Sequence, residues 1–298
     1  MIEKILITGA SGFLGSEIYT YFNAQKFEII TLGRAAKSNI VCDLSKEVPQ
    51  LKNKNSTVVI HAAGKAHTIP KTEAEIKDFY EVNVKGTENL LESIKDNLPH
   101  TFIFISTVAV YGRDTGEAIE ESNALNGKTP YAKSKILAEE KVLAFGHENG
   151  VKIVILRLPL ITGKGPLGNL GDIMRAIKKG YYFRIGSGTA RRSMVAAKDV
   201  AKLIPNLFNK NGIYNLTDRR HPSFKEIDTF IGAYYGKSIK KMPTWVFKTL
   251  SKIGDVIPYF PLTTLKFDKM TQSLTFSDDK AVVELNWSPD DALKYIKE

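Results

Sequence analysis

Apolar runs of strand length recur along the first half of the chain, at Lys4-Ile5-Leu6-Ile7, Phe27-Glu28-Ile29-Ile30-Thr31-Leu32, Thr57-Val58-Val59-Ile60, Thr101-Phe102-Ile103-Phe104-Ile105 and Val151-Lys152-Ile153-Val154-Ile155-Leu156. Most lack two-residue alternation, the pattern of strands covered on both faces. Helix-like stretches lie between them at 13–25, 73–97 and 131–149, the last stopped by Gly150. Strand and helix in alternation predict an α/β fold built on a doubly wound parallel sheet.

At 298 residues the chain is longer than one usual core. After Pro159 the rhythm changes to the glycine-rich Thr162-Gly163-Lys164-Gly165-Pro166-Leu167-Gly168-Asn169 and then to mixed short elements, where substrate-binding material is expected to start. Met194–Ala201 reads as a strand entering a helix, a return to the first domain. Short helices are expected at 223–235, 243–257 and 277–285. Within the second of these, Trp245–Ile257 sets lysines beside apolar residues. A membrane-surface helix has that composition, but Gly254 and Asp255 interrupt the pattern and favour packing on the lobe.

The single Cys42 excludes an internal disulfide framework and a cysteine-based metal site, and it suits a reducing cytoplasm. The first nine residues hold too short an apolar run for a signal peptide. No stretch approaches the ~20 apolar residues that cross a bilayer. A formal charge of +10 is spread along the chain without a dense block, which argues against nucleic-acid binding and for attraction of small anions such as phosphates.

Gly9, Gly12 and Gly15 follow the first strand and open the first helix. In that context backbone amides and the helix dipole can hold a pyrophosphate; the alternative is an ordinary glycine turn. At the end of the second strand, where NAD-selective sites place an acid, the chain has Gly33-Arg34. Arg34, with Lys37 nearby, suits a 2′-phosphate and favours NADP(H) over NAD(H), the alternative being a solvated surface arginine.

Tyr131 and Lys135 lie four positions apart, so one helix face presents both. Bringing a phenol of pKa near 10 toward 7 takes roughly 4 kcal/mol of phenolate stabilisation, which Lys135 and cofactor charge can in large part supply. Thr107 can orient the same substrate oxygen, while Ser106 should point to the other side of the strand. Taken alone, Tyr131 and Lys135 fit an amphipathic helix start equally well. With the glycines and Thr107 in chain order they describe an acid/base device for hydride transfer.

These motifs together resemble the extended short-chain dehydrogenase/reductase family, the sugar-nucleotide epimerases, dehydratases and reductases, over nearly the whole chain. The resemblance implies a Rossmann-like NAD(P)-binding domain over 1–160 and about 193–210, with a smaller, mostly helical substrate lobe over 161–192 and 211–298. It assigns Gly9, Ser11, Gly12, Phe13, Leu14 and Gly15 to the cofactor turn, Asp43 and Leu44 to the adenine side, and Ala62, Ala63 and Gly64, after His61, to the segment following the fourth strand. Asn83, in Asn83-Val84-Lys85-Gly86-Thr87, belongs to a bracing helix, and Pro159, in Arg157-Leu158-Pro159, leads into the lobe. Thr107, Tyr131 and Lys135 match the triad. Asn169 and Arg192 fall where relatives hold a nucleotide-sugar diphosphate, with Arg191 competing for the role. A homodimer through helices 73–97 and 131–149 is implied as well.

Dehydratases of the family carry an Asp-Glu pair after the triad Thr. Here Val108-Ala109 stand there and cannot move a proton, which disfavours dehydration. The run from Pro261 to Lys280 and Leu285-Asn286-Trp287-Ser288-Pro289 resemble bacterial reductases of surface-polysaccharide synthesis that act on UDP-linked 4-keto-6-deoxy-acetamido sugars. The leading expectation is therefore NADPH-dependent 4-keto reduction. A UDP-hexose 4-epimerase on retained NAD is the alternative, and a non-catalytic NAD(P) sensor or scaffold is an alternative of another class.

Overall fold

The computed structural model describes residues 4–51, 56–66, 68–165, 168–257 and 262–296. Its strands are β1 (Lys4–Thr8), β2 (Glu28–Gly33), β3 (Ile40–Val41), β4 (Val58–His61), β5 (Thr101–Thr107), β6 (Gly116–Ile119), β7 (Lys152–Leu158), β8 (Leu160–Thr162), β9 (Phe183–Ile185), β10 (Met194–Ala196), β11 (Gly212–Asn215), β12 (Lys240–Met242) and β13 (Leu274–Phe276). Its helices are α1 (Phe13–Ala24), α2 (Glu73–Tyr80), α3 (Gly86–Ser93), α4 (Pro130–Asn149), α5 (Gly168–Lys179), α6 (Ala197–Leu203), α7 (Phe224–Tyr235), α8 (Thr244–Val256), α9 (Thr264–Thr271) and α10 (Asp279–Leu285). Pro166, Leu167 and Pro261 of the stretches quoted above lie outside the described residues.

Seven strands pair in the order β11-β7-β5-β4-β1-β2-β3, all parallel. Successive side chains leave a strand on opposite faces. Ile5 and Ile7 of β1 thus join one core with α1, α6 and α10, whereas Leu6 joins the other with α3 and α4. Both faces being covered explains why the runs carry no polar alternation.

The lobe has its own core, in which Leu170, Met174 and Ile177 of α5 meet Ile227 and Ile231 of α7 and Leu293 near the carboxyl end. Three two-stranded parallel ladders, β8 with β10, β9 with β12 and β6 with β13, connect it to the sheet domain and brace it.

Two expectations need correction. The helix expected over 73–97 is α2, a π-helical segment Glu81–Lys85 and α3, ending at Ser93. The lobe does not resume at residue 211, because β11 is the edge strand of the main sheet. Ala281, Leu285 and Trp287 also return to the sheet's core, and the Trp287 indole donates to the Thr217 carbonyl at 2.9 Å. The lobe material after β11 is therefore interrupted by α10 and Trp287 and resumes at Ala292 and Leu293. Helix α8 packs through half-buried Val246, Phe247 and Leu250 and buried Ser251 and Gly254.

Candidate active site

The turn between β1 and α1 is built by exclusion of side chains. Gly9 has φ +72°, and a Cβ there would stand 2.6 Å from the Ala63 amide nitrogen. A Cβ on Gly15 would stand 2.0 Å from the Gly9 carbonyl oxygen, so the helix enters flush against the turn. Gly12 caps α1 without any side-chain bond, leaving the first-turn amides uncapped beside exposed Ser11. Leu14 is buried beneath, and Phe13 lies against Gly163 at the start of the lobe. This cradle fits a dinucleotide pyrophosphate.

Arg34 and Lys37 are exposed just beyond β2. The Asp43 carboxylate accepts from Ser45 Oγ at 2.7 Å and lies in the field of Arg34; these hold its pKa below the usual value against partial burial. Leu44 is buried, its carbonyl bonded by Asn89 Nδ2 at 2.7 Å.

Behind the cradle runs a buried hydrogen-bond chain. The Ala63 amide donates to Thr8 Oγ1 at 3.2 Å, and Thr8 Oγ1 lies 2.6 Å from His61 Nδ1. His61 Nε2 lies 3.0 Å from Thr87 Oγ1, whose hydroxyl donates to the Asn83 carbonyl at 2.6 Å. Because the Thr87 proton is committed, Nε2 carries the imidazole proton and Nδ1 accepts. Burial and the nearby Lys135 charge push the His61 pKa down to about 3, so the ring is neutral.

Asn83 sits in the π-helical segment, where the extra residue per turn aims its amide at two elements. Its Oδ1 accepts from the Lys65 amide at 2.7 Å, and its Nδ2 donates to the Lys65 carbonyl at 3.0 Å and to Ser134 Oγ at 2.9 Å. A Cβ on Gly64 would lie 3.1 Å from Asn83 Oδ1 and 3.7 Å from Lys135 Nζ, so Asn83, Gly64 and Lys135 converge.

Thr107 ends β5 and Tyr131 opens α4, whose N-cap Thr129 accepts from the Ala132 amide, with Pro130 at the first helical position. The Thr107 side chain favours the Tyr131 phenolate, yet burial outweighs it and raises the Tyr131 pKa, while Thr107 Oγ1 accepts from the Ala109 amide at 3.2 Å. The shift toward neutrality expected from the sequence is thus not made by the protein's own charges. Lys135 is buried with its ammonium 4.2 Å from the Phe104 ring centroid. Burial pushes its pKa down to about 8, against the pull of Glu139. Ser106 points away from Thr107, as expected, and donates to Glu139.

Glu139 opens a network that the sequence did not single out. It receives Arg157 at 2.7 Å, and Arg157 Nη1 donates to Tyr111 Oη at 3.1 Å. Tyr111 donates to Asn215 Oδ1 at 2.7 Å. All four side chains are buried, and they tie α4, β7, β11 and the turn after Thr107 into one frame. A Glu one helical turn after Lys135 was the available signal.

Arg192 is 9% exposed and bonds only carbonyls, those of Arg191, Lys269 and Gln272, while stacking on Phe224 at 5.1 Å. Burial with no carboxylate in contact pushes its pKa down to about 10. A buried guanidinium so placed fits an anion. Arg191 is exposed and bonds the Arg220 and His221 carbonyls. Asn169 is in the first turn of α5, its side chain outside the described set, and Pro159 joins β7 to β8. The described residues contain no group of three or more His, Cys, Asp or Glu able to hold a metal, and no helix among them is long and apolar enough to cross a membrane.

This arrangement of glycine cradle, Thr-Tyr-Lys and two-part chain has counterparts. The chain belongs to the NAD dependent epimerase/dehydratase family, whose model matches residues 5–216. Its members include NAD(P)-dependent epimerases and oxidoreductases of nucleotide sugars. The chain is 27% identical to a UDP-glucose 4-epimerase of Vibrio cholerae over 99% of its own length and 93% of the relative's. It is 29% identical to a GDP-6-deoxy-D-mannose reductase of Pseudomonas aeruginosa over 53% of its own length and 52% of the relative's. The fold matches the structure of RMD from Pseudomonas aeruginosa complexed with NADPH, with a TM-score of 0.76 and 21% identity over 99% of this chain and 95% of that one.

Proposed function

We propose that the protein is an NADPH-dependent 4-ketoreductase of a UDP-linked 2-acetamido-2,6-dideoxy-hexos-4-ulose, acting in the cytoplasm as a homodimer in bacterial surface-polysaccharide precursor synthesis. The observation that carries the reading is Thr107 at the end of β5 placed to act on the Tyr131 phenol of α4, with apolar Val108 and Ala109 in place of acids beside them. Such a pair can fix one carbonyl oxygen and protonate it, but has no acid to expel water.

The nicotinamide, when bound, supplies the hydride to the carbonyl carbon. Thr107 holds the oxygen in place. Tyr131, kept protonated by burial, passes its phenol proton to that oxygen, so the ketone becomes an alcohol. Lys135, with a pKa of about 8, is one turn along the same face and favours the phenolate left behind. Gly9, Ser11, Gly12, Phe13, Leu14 and Gly15 would hold the pyrophosphate, Arg34 the 2′-phosphate, Asp43, Leu44, Ala62, Ala63 and Gly64 the adenosine side, and Asn83 and Pro159 the walls near the nicotinamide. Arg192 and Asn169 would receive the substrate diphosphate. Exposed Ile76, Leu137 and Leu143 on α2 and α4 support the dimer.

A second reading is favoured by the near-complete span of the Vibrio cholerae relative: 4-epimerisation of a UDP-hexose on retained NAD. NADPH oxidation is measured against UDP-4-keto sugars, with product stereochemistry read by NMR. Stoichiometric oxidation to an alcohol is expected. Interconversion of UDP-hexoses without cofactor consumption would replace the reductase by the epimerase, and cofactor binding without either reaction would leave a sensor.

A further inference from the structure

Helix α8 has two unlike faces. One packs on α9. The other is open and mixes apolar residues with lysines, with Trp245 71% exposed, Ile253 43% and Val256 82%. At about 100° per residue, Trp245, Thr249, Lys252 and Val256 form one stripe, bordered by Lys248 on one side and Ile253 on the other. Exposed Lys240 and Lys241 of β12 immediately precede the helix. The one carboxylate of α8, Asp255, is turned to α9, where it accepts from the Thr264 amide at 2.9 Å.

A ridge with apolar Trp245, Val256 and Ile253 along one flank and Lys252 and Lys248 along the other releases water onto one kind of surface and pairs with one sign of charge. An indole at its edge suits the boundary between acyl chains and headgroups. We propose that α8 is a membrane-surface helix that lies flat on an anionic lipid bilayer, with Trp245, Ile253 and Val256 in the acyl boundary and the four lysines on lipid phosphates. A second copy of the chain is a poorer occupant, because two such faces would set Lys248 and Lys252 against each other. The net charge of +10 adds long-range attraction to the same surface. Helix α9, on which α8 rests, supplies the Lys269 carbonyl to Arg192, so docking would join the lobe's anion corner to the lipid. The proposal is independent of the reaction assigned above.

Full-length protein is mixed with vesicles of phosphatidylglycerol and phosphatidylcholine, and binding is read by flotation and tryptophan fluorescence. Trp245 emission should move to the blue while Trp287, 5% exposed, stays constant. Binding should weaken about tenfold or more in high salt and in the double variant Lys248→Glu/Lys252→Glu. It should be lost in Val256→Asp, with the circular dichroism of both variants unchanged. Equal binding to pure phosphatidylcholine vesicles, or full retention by Val256→Asp, overturns the proposal. So does a lipid-independent self-association that Val256→Asp abolishes.

Discussion

Arg157 on β7 grips Glu139 on α4, Nη2 to Oε2 at 2.7 Å, with side-chain exposures of 3% and 2%. The pair lies one helical turn beyond Lys135 and fixes α4 against the sheet. Removing one partner strands a buried charge, so Glu139→Gln should cost about 3–5 kcal/mol in urea unfolding. Glu139→Leu combined with Arg157→Met should recover most of that loss. A single variant as stable as the parent would show that the charges are not desolvated. Losing Glu139 should also lower the Lys135 pKa further, since its carboxylate pulls that value up.

Tyr131→Phe keeps the ring against Phe79, 6.1 Å between centroids, and removes only the acid. Turnover should fall by about 10²–10⁴ with the Kd for NADPH unchanged. Near-normal turnover on a verified substrate would sink the assignment of Tyr131. Thr107→Val should lower turnover less, because Tyr131 would still reach the oxygen without its orienting partner.

His61 gives a pH signature. Its folded pKa, about 3, is below the ordinary 6.5, so the unfolded chain binds more protons between those values and stability falls as pH drops through that window. Asp218, raised to about 6 by burial, acts oppositely, losing stability as pH rises from 3.8 to 6. Denaturation midpoints compared between parent and His61→Gln should therefore show a flatter acid limb in the variant. An unchanged slope would mean that His61 does not titrate with unfolding.

Arg34→Ala tests the cofactor. Loss of a charge-assisted phosphate contact should weaken NADPH binding about 10- to 100-fold and leave NADH binding within about twofold. Equal weakening of both would remove Arg34 from 2′-phosphate recognition.

The sheet strands with long apolar runs and the Thr107, Tyr131 and Lys135 set were legible because their signals are local: composition for the first, spacing for the second. Strands β3 and β11 were not, since Ile40-Val41 and Gly212-Ile213-Tyr214-Asn215 are too short and mixed to stand out. The π-helical break at Asn83 hides because its cause is distant, the backbone of Lys65 and the hydroxyl of Ser134. The Thr8-His61-Thr87 and Glu139-Arg157-Tyr111-Asn215 chains join residues far apart in sequence, and no period records such partners.

Trp287 and α10 return the chain to the sheet before Leu293 closes the lobe's core, so the lobe is pinned to the sheet from within and does not hang as a tail. Trimming the last twenty residues would accordingly open the hydrophobic face beneath α1 and α6 and take Leu293 out of the lobe core, loosening both together. Exchanging substrate lobes between relatives would succeed only if the graft carried α5, the stretch between β11 and Asp279 and the end around Leu293 together, leaving α10 and Trp287 as the closing stitch.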